Sequence, residues 1–535
     1  MGYTDDALER PLIGIANTYS GYNACHATVP QIVEAVKRGV MLAGGLPIEF
    51  PIISLHESFA FPTSMFLRNL MSIDTEEMIK AQPMDAAVLI GGCDKTVPAL
   101  VMGAASANVP AVVEVTGPML TGTHHGERVG ACTDCRRFWA KYRGGEIDDA
   151  EVEELTNQLV PTAGTCGVMG TASTMALLTE AMGMMLPGGG TIPATFADRQ
   201  RHAELTGKRA VAMAAEGLTP KKVITPAAVR NALRVLQAIG GSTNGLIHMT
   251  AMAGRLGIRV DLDAFDELGR DIPVLVDLKP SGQYYMEDLH RAGGLAPILR
   301  ELRDHLELDT LTVTGRTLGE EIDNLPPAYP QDVVKTVDAP LYPGGGMVIL
   351  RGNLAPDGAV IKQSAANPSL LSHEGRALVF SSLEDMAARV DDPDLDVTPD
   401  DVIVLQNAGP LGAPGMPEAG YLPIPKKLAE QGVKDMVRLS DARMSGTAFG
   451  TIILHVAPES AVGGPLALVE TGDWIRLDVP NRSLEHLVED AELARRREAW
   501  TPPSAHAGAE RGYLNLYLNR VTQAPDGCDF DFLMP

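Results

Sequence analysis

The stretch Ala86-Ala87-Val88-Leu89-Ile90-Gly91-Gly92-Cys93-Asp94-Lys95-Thr96 joins a short apolar run to three reactive side chains. Five apolar residues predict a buried strand, and Gly91-Gly92 ends it. A thiol, a carboxylate and an amine follow at once. Because ligands bind beyond the carboxyl ends of strands in parallel α/β sheets, this strand end is a candidate site. The competing interpretation is a buried cysteine beside a surface Asp-Lys pair, and this stretch alone leaves both open.

The strands predicted before this stretch also lead to reactive residues. Residues 12–16 predict a first strand, and the polar loop after it contains Cys25. Residues 47–54 predict a second strand, which leads to Glu57. Helical spacing between the strands indicates a mainly parallel sheet that is covered on both faces. If the strands share one sheet, these residues and the opening stretch gather at one edge.

The bulk composition excludes several classes of partner. The chain has 535 residues, 45% of them hydrophobic, and a formal net charge of −24. This length allows two or three domains with sizeable cores. The acidic balance argues against nucleic acid and anionic membranes, because both need a basic footprint. With neither a membrane-spanning apolar run nor a signal pattern in the sequence, we expect a cytoplasmic protein.

The cysteines are too few in so long a chain for a disulfide scaffold. The six are Cys25, Cys93, Cys132, Cys135, Cys166 and Cys528. Cys132 and Cys135 form a CxxC motif, which is a weak indication of zinc without a second pair or a histidine. Cys166 precedes a predicted helix at residues 171–186, whose dipole lowers a thiol pKa and favours negative charge. The alternative for Cys166 is a core cysteine in a methionine-rich helix.

The second part of the chain has a different pattern. Residues 324–346 are rich in Pro, Asp and Gly and predict a domain boundary. Short apolar runs separated by turns follow, and they predict strands at residues 347–350, 377–380, 402–405, 451–454 and 474–477. One more strand is predicted earlier, at residues 272–276. We therefore predict an α/β fold, with a mainly parallel α/β domain at residues 1–335 and a β-rich, barrel-like domain at residues 336–535.

Two sets of side chains are candidate metal ligands. Cys25, Cys93 and Cys166 are about seventy residues apart, which matches no zinc-finger or ferredoxin spacing. Three thiolates on an iron–sulfur cluster leave one iron open, and an open iron is a Lewis acid. A second set offers the oxygen ligands that magnesium prefers, and its members are Glu57, Asp94 and Glu418. The two metals together indicate elimination of water from a hydroxy acid.

Seven motifs spread over nearly the whole chain carry a family resemblance. They are Gly92-Cys93-Asp94-Lys95-Thr96, Gly164-Thr165-Cys166, the segment from Gly170 to Met175, Gly240-Gly241-Ser242-Thr243-Asn244, the segment from Arg351 to Pro356, Gly415-Met416-Pro417-Glu418, and the segment from Asp441 to Thr447. With these motifs the chain resembles the dihydroxy-acid and sugar-acid dehydratase family, which includes phosphogluconate dehydratase. Singly, only the two cysteine motifs are specific.

The resemblance implies a role for each candidate residue. Cys25, Cys93 and Cys166 look like the ligands of an iron–sulfur cluster, for which we expect the [2Fe-2S] form. The magnesium ligands look like Glu57, Asp94, Glu418 and a carbamylated Lys95. Ser445 looks like the catalytic base, acting as an alkoxide, and Thr447 is predicted to bind substrate. Family members are dimers or tetramers, so a homodimer or homotetramer is expected. Cys132 and Cys135 match no family site and are expected to be structural.

The implied reaction is a β-elimination from a small polyhydroxy acid. Ser445 takes the C2 proton, the C3 hydroxyl leaves, and the enol becomes a 2-keto-3-deoxy acid. The motifs around Gly170 and Ser445 look closest to the pentonate, arabinonate-like branch, so we expect a hydro-lyase that acts on a sugar acid. One alternative is the dihydroxy-acid dehydratase of branched-chain amino-acid synthesis. The other is a non-catalytic iron–sulfur sensor, which has no need of Ser445 or the carboxylates. The chain begins only about ten residues before its first predicted strand, shorter than is usual in the family, which leaves substrate choice open.

Overall fold

The computed structural model of the chain describes residues 2–535. Its strands are β1 (Leu12–Asn17), β2 (Leu46–Pro51), β3 (Ala86–Gly91), β4 (Ala111–Val115), β5 (Gly122–His124), β6 (Glu127–Val129), β7 (Val348–Leu350), β8 (Gly358–Ile361), β9 (Ser372–Phe380), β10 (Val402–Leu405), β11 (Arg438–Ser440), β12 (Ile452–Ala457), β13 (Trp474–Asp478) and β14 (Ser483–His486).

The α-helices lie mostly in the first part of the chain. They are α1 (Asp5–Leu8), α2 (Val29–Leu42), α3 (Arg68–Ala81), α4 (Thr96–Ala107), α5 (Thr133–Arg143), α6 (Asp149–Thr156), α7 (Thr171–Ala181), α8 (Ala197–Glu216), α9 (Pro220–Val223), α10 (Pro226–Ala238), α11 (Asn244–Gly254), α12 (Leu262–Arg270), α13 (Met286–Arg291), α14 (Ala296–Glu301), α15 (Leu318–Asp323), α16 (Leu383–Arg389), α17 (Lys426–Glu430), α18 (Asp490–Ala499) and α19 (Gly512–Arg520). Among residues 2–535, no helix combines the length and the apolar character needed to cross a membrane.

The first sheet is parallel throughout and has the strand order β2-β1-β3-β4. Every residue of β3 is buried, as expected for an uninterrupted apolar run in the centre of a parallel sheet. Helices α2 and α8 pack against each other, and so do α3 and α4. Because β1 and β3 are parallel neighbours, their carboxyl ends lie side by side, and the loops that follow them come together. The parallel α/β arrangement predicted from the sequence is confirmed.

The second sheet has eight strands in the order β14-β13-β9-β10-β11-β12-β8-β7. Strands β9 to β12 are parallel neighbours, and the outer pairs are antiparallel. Arg351, directly after β7, pairs with Ser483 at the start of β14. This bridge connects the two edge strands, so the sheet nearly closes on itself. The barrel-like, β-rich character predicted for this part of the chain is confirmed.

Strand β7 shows how the two sheets share their cores. Its three residues are buried and alternate between two apolar clusters, as successive residues of a strand must. Val348 and Leu350 belong to the interior of the second sheet, together with residues such as Val404 and Ile475. Ile349 belongs instead to the large cluster that surrounds the first sheet. The barrel therefore packs against the α/β part through one face of its edge strand β7.

The structure differs from the predicted strands in two ways. Residues 272–276 do not form a strand of a sheet but make isolated bridges, Val274 to Tyr342 and Val276 to Val334. Their partners lie in an irregular segment, and Pro273 has no N–H for a regular ladder. Strands β5, β6, β8, β11 and β14 were not predicted, because each has only three or four residues and all but β8 contain polar side chains.

The C-terminal end of the chain packs against residues of the α/β part, among them Arg68 and Arg255. The buried guanidinium of Arg68 donates hydrogen bonds of 2.9 Å to the carbonyl oxygens of Gly527 and Cys528. Arg255 and Asp529 form a fully buried ion pair of 2.5 Å. Cys528 also packs against Met416, close to the loop that contains the predicted ligand Glu418.

A buried lysine in the second sheet gives a test of this packing. Lys362 follows β8 and is 1% exposed, and its Nζ has no hydrogen-bond partner within residues 2–535. Burial lowers the pKa of Lys362 from 10.5 to about 7. The unfolded chain therefore binds a proton that the folded chain does not bind between these two pH values. Stability must rise with pH from about 7 to about 10.5, by at most about 1.4 kcal/mol per pH unit.

We predict that Lys362→Met raises the free energy of unfolding at pH 7 and removes this pH dependence, because methionine has no amine that must lose its hydration and its proton on folding. Denaturant unfolding at pH 7.5, 8.5 and 9.5 measures both effects. Lys434→Met is the matched control, since Lys434 is exposed and its substitution leaves the pH dependence unchanged. The same pH dependence in wild type and Lys362→Met would contradict the prediction.

Candidate active site

The turn after β3 fixes the position of Cys93. A Cβ atom on Gly92 would lie 1.8 Å from Thr116 Oγ1, so only glycine allows this close approach to the neighbouring strand end. The N–H groups of Gly92 and Cys93 both donate to Nε2 of His26, at 3.0 Å. Burial lowers the pKa of His26 to about 4, which keeps the ring neutral and Nε2 able to accept. His26 thus connects the loop after β1 to the turn after β3.

The three predicted cluster cysteines come together at this turn. Cys25 precedes His26, and Cys93 follows β3. Cys166 lies in a loop that is held against the segment after β4 by the hydrogen bonds of Thr165. A hydrogen bond with Cys93, burial and the nearby Cys166 and Asp94 raise the pKa of Cys25 well above its ordinary value. The crowding of thiols disfavours negative charge unless a positively charged group is bound between them.

A fourth thiol, which the sequence analysis did not assign to this site, lies beside the other three. Cys132 Sγ is 3.0 Å from Cys166 Sγ. The shared hydrogen bond lowers the pKa of Cys132 and raises that of Cys166. Its CxxC partner Cys135 is exposed, because α5 begins at Thr133 and places the two cysteines differently. The CxxC motif was the sequence signal, but its spacing alone did not show that only one of its cysteines reaches the site.

The predicted magnesium ligands converge on the amine of Lys95. Nζ of Lys95 lies 2.6 Å from Asp94 Oδ2, 3.3 Å from Glu57 Oε2 and 3.4 Å from Glu418 Oε1. The lysine is 1% exposed, whereas the carboxylates retain a fraction of their surface. Burial and the nearby Arg443 oppose its charge, but the three carboxylates outweigh both and raise the pKa of Lys95. The ammonium is therefore the charge that holds these acids together.

Arg443 is a second buried cation at the same place, and it was not singled out from the sequence. Its guanidinium donates to Glu418 Oε1 at 2.5 Å and to Glu57 Oε1 at 3.1 Å. Glu57 also accepts hydrogen bonds from Thr63, at 2.8 Å, and from Ser64. Burial raises the pKa of Glu57, but Lys95 and Arg443 dominate and bring it well below its usual range. Glu57 is therefore ionised and held in place by these donors.

These two sets of side chains fit the metals implied by the family resemblance. Three carboxylates that converge on one point are the ligands a hard divalent cation prefers, and the Lys95 ammonium already occupies that point as a positive charge. Converging thiols are the ligands of iron–sulfur clusters. The sets adjoin, since Cys93 Sγ lies 3.6 Å from Asp94 Oδ1. The chemistry of both donor sets therefore suits the proposed groups.

The predicted base Ser445 lies on a loop that is packed tightly against the start of α7. A Cβ atom on Gly446 would lie 2.5 Å from Ser242 Cβ and 2.9 Å from the backbone N of Thr171, so glycine is required there. Asn244 donates to the carbonyl oxygen of Met444, at 3.1 Å, and to Glu418 Oε1, at 3.4 Å. This amide fixes the loop of Ser445 relative to the carboxylates.

Thr447 and Arg136 form a hydrogen-bonded chain that ends at Ser445. Ser445 Oγ and Thr447 Oγ1 share a hydrogen bond of 2.8 Å. Arg136 Nη1 donates to Thr447 Oγ1 at 2.7 Å, so the hydroxyl proton of Thr447 is free to point to Ser445. Thr133 Oγ1 donates to the carbonyl oxygen of Thr447 at 2.9 Å. Arg136 was missed in the sequence analysis, although it directly follows the CxxC motif.

Comparisons with known proteins show the family of the chain. Two family models cover most of the chain: the N-terminal model of dihydroxy-acid/6-phosphogluconate dehydratase matches residues 10–321, and the C-terminal model matches residues 332–528.

Curated relatives match along almost their entire length. An L-arabonate dehydratase of Azospirillum brasilense is 49% identical over 98% of this chain and 91% of the relative. A 6-deoxy-6-sulfo-D-gluconate dehydratase of Pseudomonas putida is 46% identical over 99% of this chain and 91% of the relative. A dihydroxy-acid dehydratase of Acetivibrio thermocellus is 39% identical over 98% of this chain and 95% of the relative.

Proposed function

The chain belongs to the dihydroxy-acid/6-phosphogluconate dehydratase family, and from this premise we propose that it removes water from a sugar acid to give a 2-keto-3-deoxy acid. Members of this family are dehydratases, which are hydro-lyases. The observation that carries the proposal is the convergence of three carboxylates on Lys95 directly beside a group of thiols. Neither an iron–sulfur sensor nor an electron carrier requires such a carboxylate site.

The proposal assigns ligand residues to each cofactor. Cys25, Cys93 and Cys166 would hold a [2Fe-2S] cluster, and the carboxylates around Lys95 would hold magnesium. When bound, magnesium supplies positive charge for a substrate carboxylate and its enolate, and the cluster supplies a Lewis acid for the departing hydroxyl. The raised pKa of Lys95 supports a coupled process: only when another cation neutralises the carboxylates would the ammonium lose a proton and the resulting amine add carbon dioxide, with loss of a second proton, to give a carbamate.

Ser445 is proposed as the base that takes the C2 proton of the substrate. A serine hydroxyl is far too weak a base unless its anion is stabilised. The donor chain from Arg136 through Thr447 points at Ser445 Oγ, and the backbone N–H of Thr447 lies 3.4 Å from the same atom. These donors stabilise negative charge at Ser445 Oγ. In this proposal Thr447 supports the base, and its predicted contact with substrate stays a prediction.

The relatives support a sugar acid as the substrate class. The two sugar-acid dehydratases are 46% and 49% identical to this chain, against 39% for the dihydroxy-acid dehydratase. Their names specify a five-carbon and a six-carbon acid, which supports an aldonate of this size as the substrate. A homodimer or homotetramer and a cytoplasmic location stay predictions.

We predict that Ser445→Ala abolishes turnover while the protein keeps its fold and its visible absorption. Thr447→Val removes one donor to the anion and lowers kcat by about 10²–10³-fold. Steady-state keto-acid formation measures both, and thermal unfolding with absorption spectra checks that the variants are intact. Ser369→Ala, at an exposed serine, is the matched control and keeps full activity. Retained activity in Ser445→Ala would exclude Ser445 as the base.

We predict that the anaerobically purified protein is brown and contains about two irons per chain. Cys93→Ser removes a thiolate from the proposed cluster, so it loses the visible absorption, the iron and the activity. Cys135→Ser keeps all three, because Cys135 is exposed and outside the group of thiols. Iron and sulfide analysis with absorption spectra provides the measurement. A colourless preparation with full activity would remove the cluster from the mechanism.

We predict that kcat/KM for L-arabonate or D-gluconate exceeds that for 2,3-dihydroxyisovalerate by at least about a hundredfold. A site that hydrogen-bonds the extra hydroxyl groups of a sugar acid leaves those partners unpaired with the branched-chain acid. Keto-acid release from each compound, with Ser445→Ala as the blank, gives the comparison. A preference for dihydroxyisovalerate would move the protein to branched-chain amino-acid synthesis.

A further inference from the structure

A second cluster of metal-ligating side chains lies away from Lys95, between the β5–β6 hairpin and α6. His124 ends β5, His125 follows in the turn, and Glu151 and Glu154 are on successive turns of α6. The two imidazole rings stack with their centroids 4.0 Å apart. One ligand atom each from His124, His125 and Glu154 lies within 4.8 Å of the others.

The two nitrogens of His124 have no hydrogen-bond partner within residues 2–535, although the residue is only 4% exposed. A neutral imidazole carries one N–H donor and one acceptor nitrogen, and leaving both unpaired costs about 1–3 kcal/mol for each. A carboxylate oxygen lies near each nitrogen without forming a hydrogen bond. Glu154 Oε1 lies 3.9 Å from Nδ1, and Glu151 Oε1 lies 3.5 Å from Nε2.

A bound cation would satisfy every one of these groups. Nδ1 of His124, Nε2 of His125 and Oε1 of Glu154 surround one position, and His125 Nε2 lies 3.6 Å from Glu154 Oε1. With Nδ1 on the metal, Nε2–H of His124 is left facing Glu151. That arrangement is the carboxylate–histidine–metal pattern that orients ligating histidines in proteins. The two separations that involve Glu154 Oε1, 3.9 Å to His124 Nδ1 and 3.6 Å to His125 Nε2, are near the ~3.4 Å expected around a tetrahedral ion with bonds of ~2.1 Å.

We propose that His124, His125 and Glu154 form a site for a divalent transition-type cation such as Zn²⁺, with Glu151 as the partner that orients His124. Two imidazoles and one carboxylate are ligands that Zn²⁺ accepts and that Mg²⁺ and Ca²⁺ do not select. His125 and Glu154 are exposed, so the ion can enter from solvent and keep a water as its fourth ligand. The proposal is independent of the reaction proposed above.

The position of the site suggests what the ion would do. His124 packs edge-on against Phe138 of α5, and a small apolar cluster of Val129, Phe138, Leu155 and Leu159 lies behind it. This cluster joins the hairpin, α5 and α6, together with ion pairs and hydrogen bonds such as that from Tyr142 of α5 to Asp149 of α6. A cation held by the hairpin and α6 would add a cross-link to it. Helix α5 also carries Arg136, which donates a hydrogen bond to Thr447. The cross-link would therefore stabilise the position of a helix that contacts the candidate active site.

The test is Zn²⁺ binding to the holoprotein in excess Mg²⁺, by calorimetric titration and by metal analysis after gel filtration. We expect wild type to bind one equivalent of Zn²⁺ more than His125→Ala, and Glu154→Gln to bind it at least about tenfold more weakly. Both substitutions are at exposed side chains, so neither variant depends on refilling a buried space.

Glu153→Gln is the matched control, since Glu153 is an exposed acid on the same helix outside the cluster, and it should bind Zn²⁺ as wild type does. The cysteines are common to all four proteins, so zinc bound by thiols cancels in the comparison. Equal stoichiometry and equal Kd in the four proteins overturn the proposal. Absence of Zn²⁺ uptake by wild type also overturns it.

Discussion

The buried ammonium of Lys95 lies between carboxylates from three separate parts of the chain, and the architecture around the site depends on this contact. Asp94 is its neighbour in sequence, Glu57 follows the second strand, and Glu418 belongs to the barrel part. A buried cation without these acids would cost several kcal/mol, and so would the acids without the cation. The ion pairs therefore hold the barrel in contact with the loops that follow the parallel sheet.

The charge balance of this pocket is consistent with the proposed exchange of ligands. Three carboxylates with Lys95 and Arg443 leave one net negative charge. Turning the ammonium into a carbamate removes one positive charge and adds one negative charge, and a divalent cation compensates for both. The net charge is the same before and after, so the surrounding protein can hold both states. Arg443 remains as the fixed cation in each, which explains why it is fully buried between two of the acids.

Local patterns in the sequence predicted the fold, and the family resemblance implied the roles of candidate residues that lie far apart in the chain. The apolar run of β3 and the residues directly after it specify a strand end, and the strand lies where it was expected. What the sequence could not predict are contacts between distant segments. Arg443 is 386 positions away from Glu57, and Arg136 is 311 positions away from Thr447, so no spacing rule connects them. The short strands β8, β11 and β14 were missed for a related reason, since neighbours from elsewhere in the barrel hold them in place.

The adjacency of Cys93 and Asp94 explains why one strand end can serve two kinds of metal ligand. Consecutive side chains on a turn diverge, so the thiol can face the cysteines while the carboxylate faces Lys95, with the two groups still 3.6 Å apart. The turn cannot move independently, because Gly92 is pressed against Thr116 and its N–H is held by His26. If both proposed metals bind, one peptide unit at the end of a buried strand would separate a ligand of one from a ligand of the other. For an elimination, in which a proton leaves one carbon while a hydroxyl leaves the next, such a fixed distance is the requirement that the protein must meet.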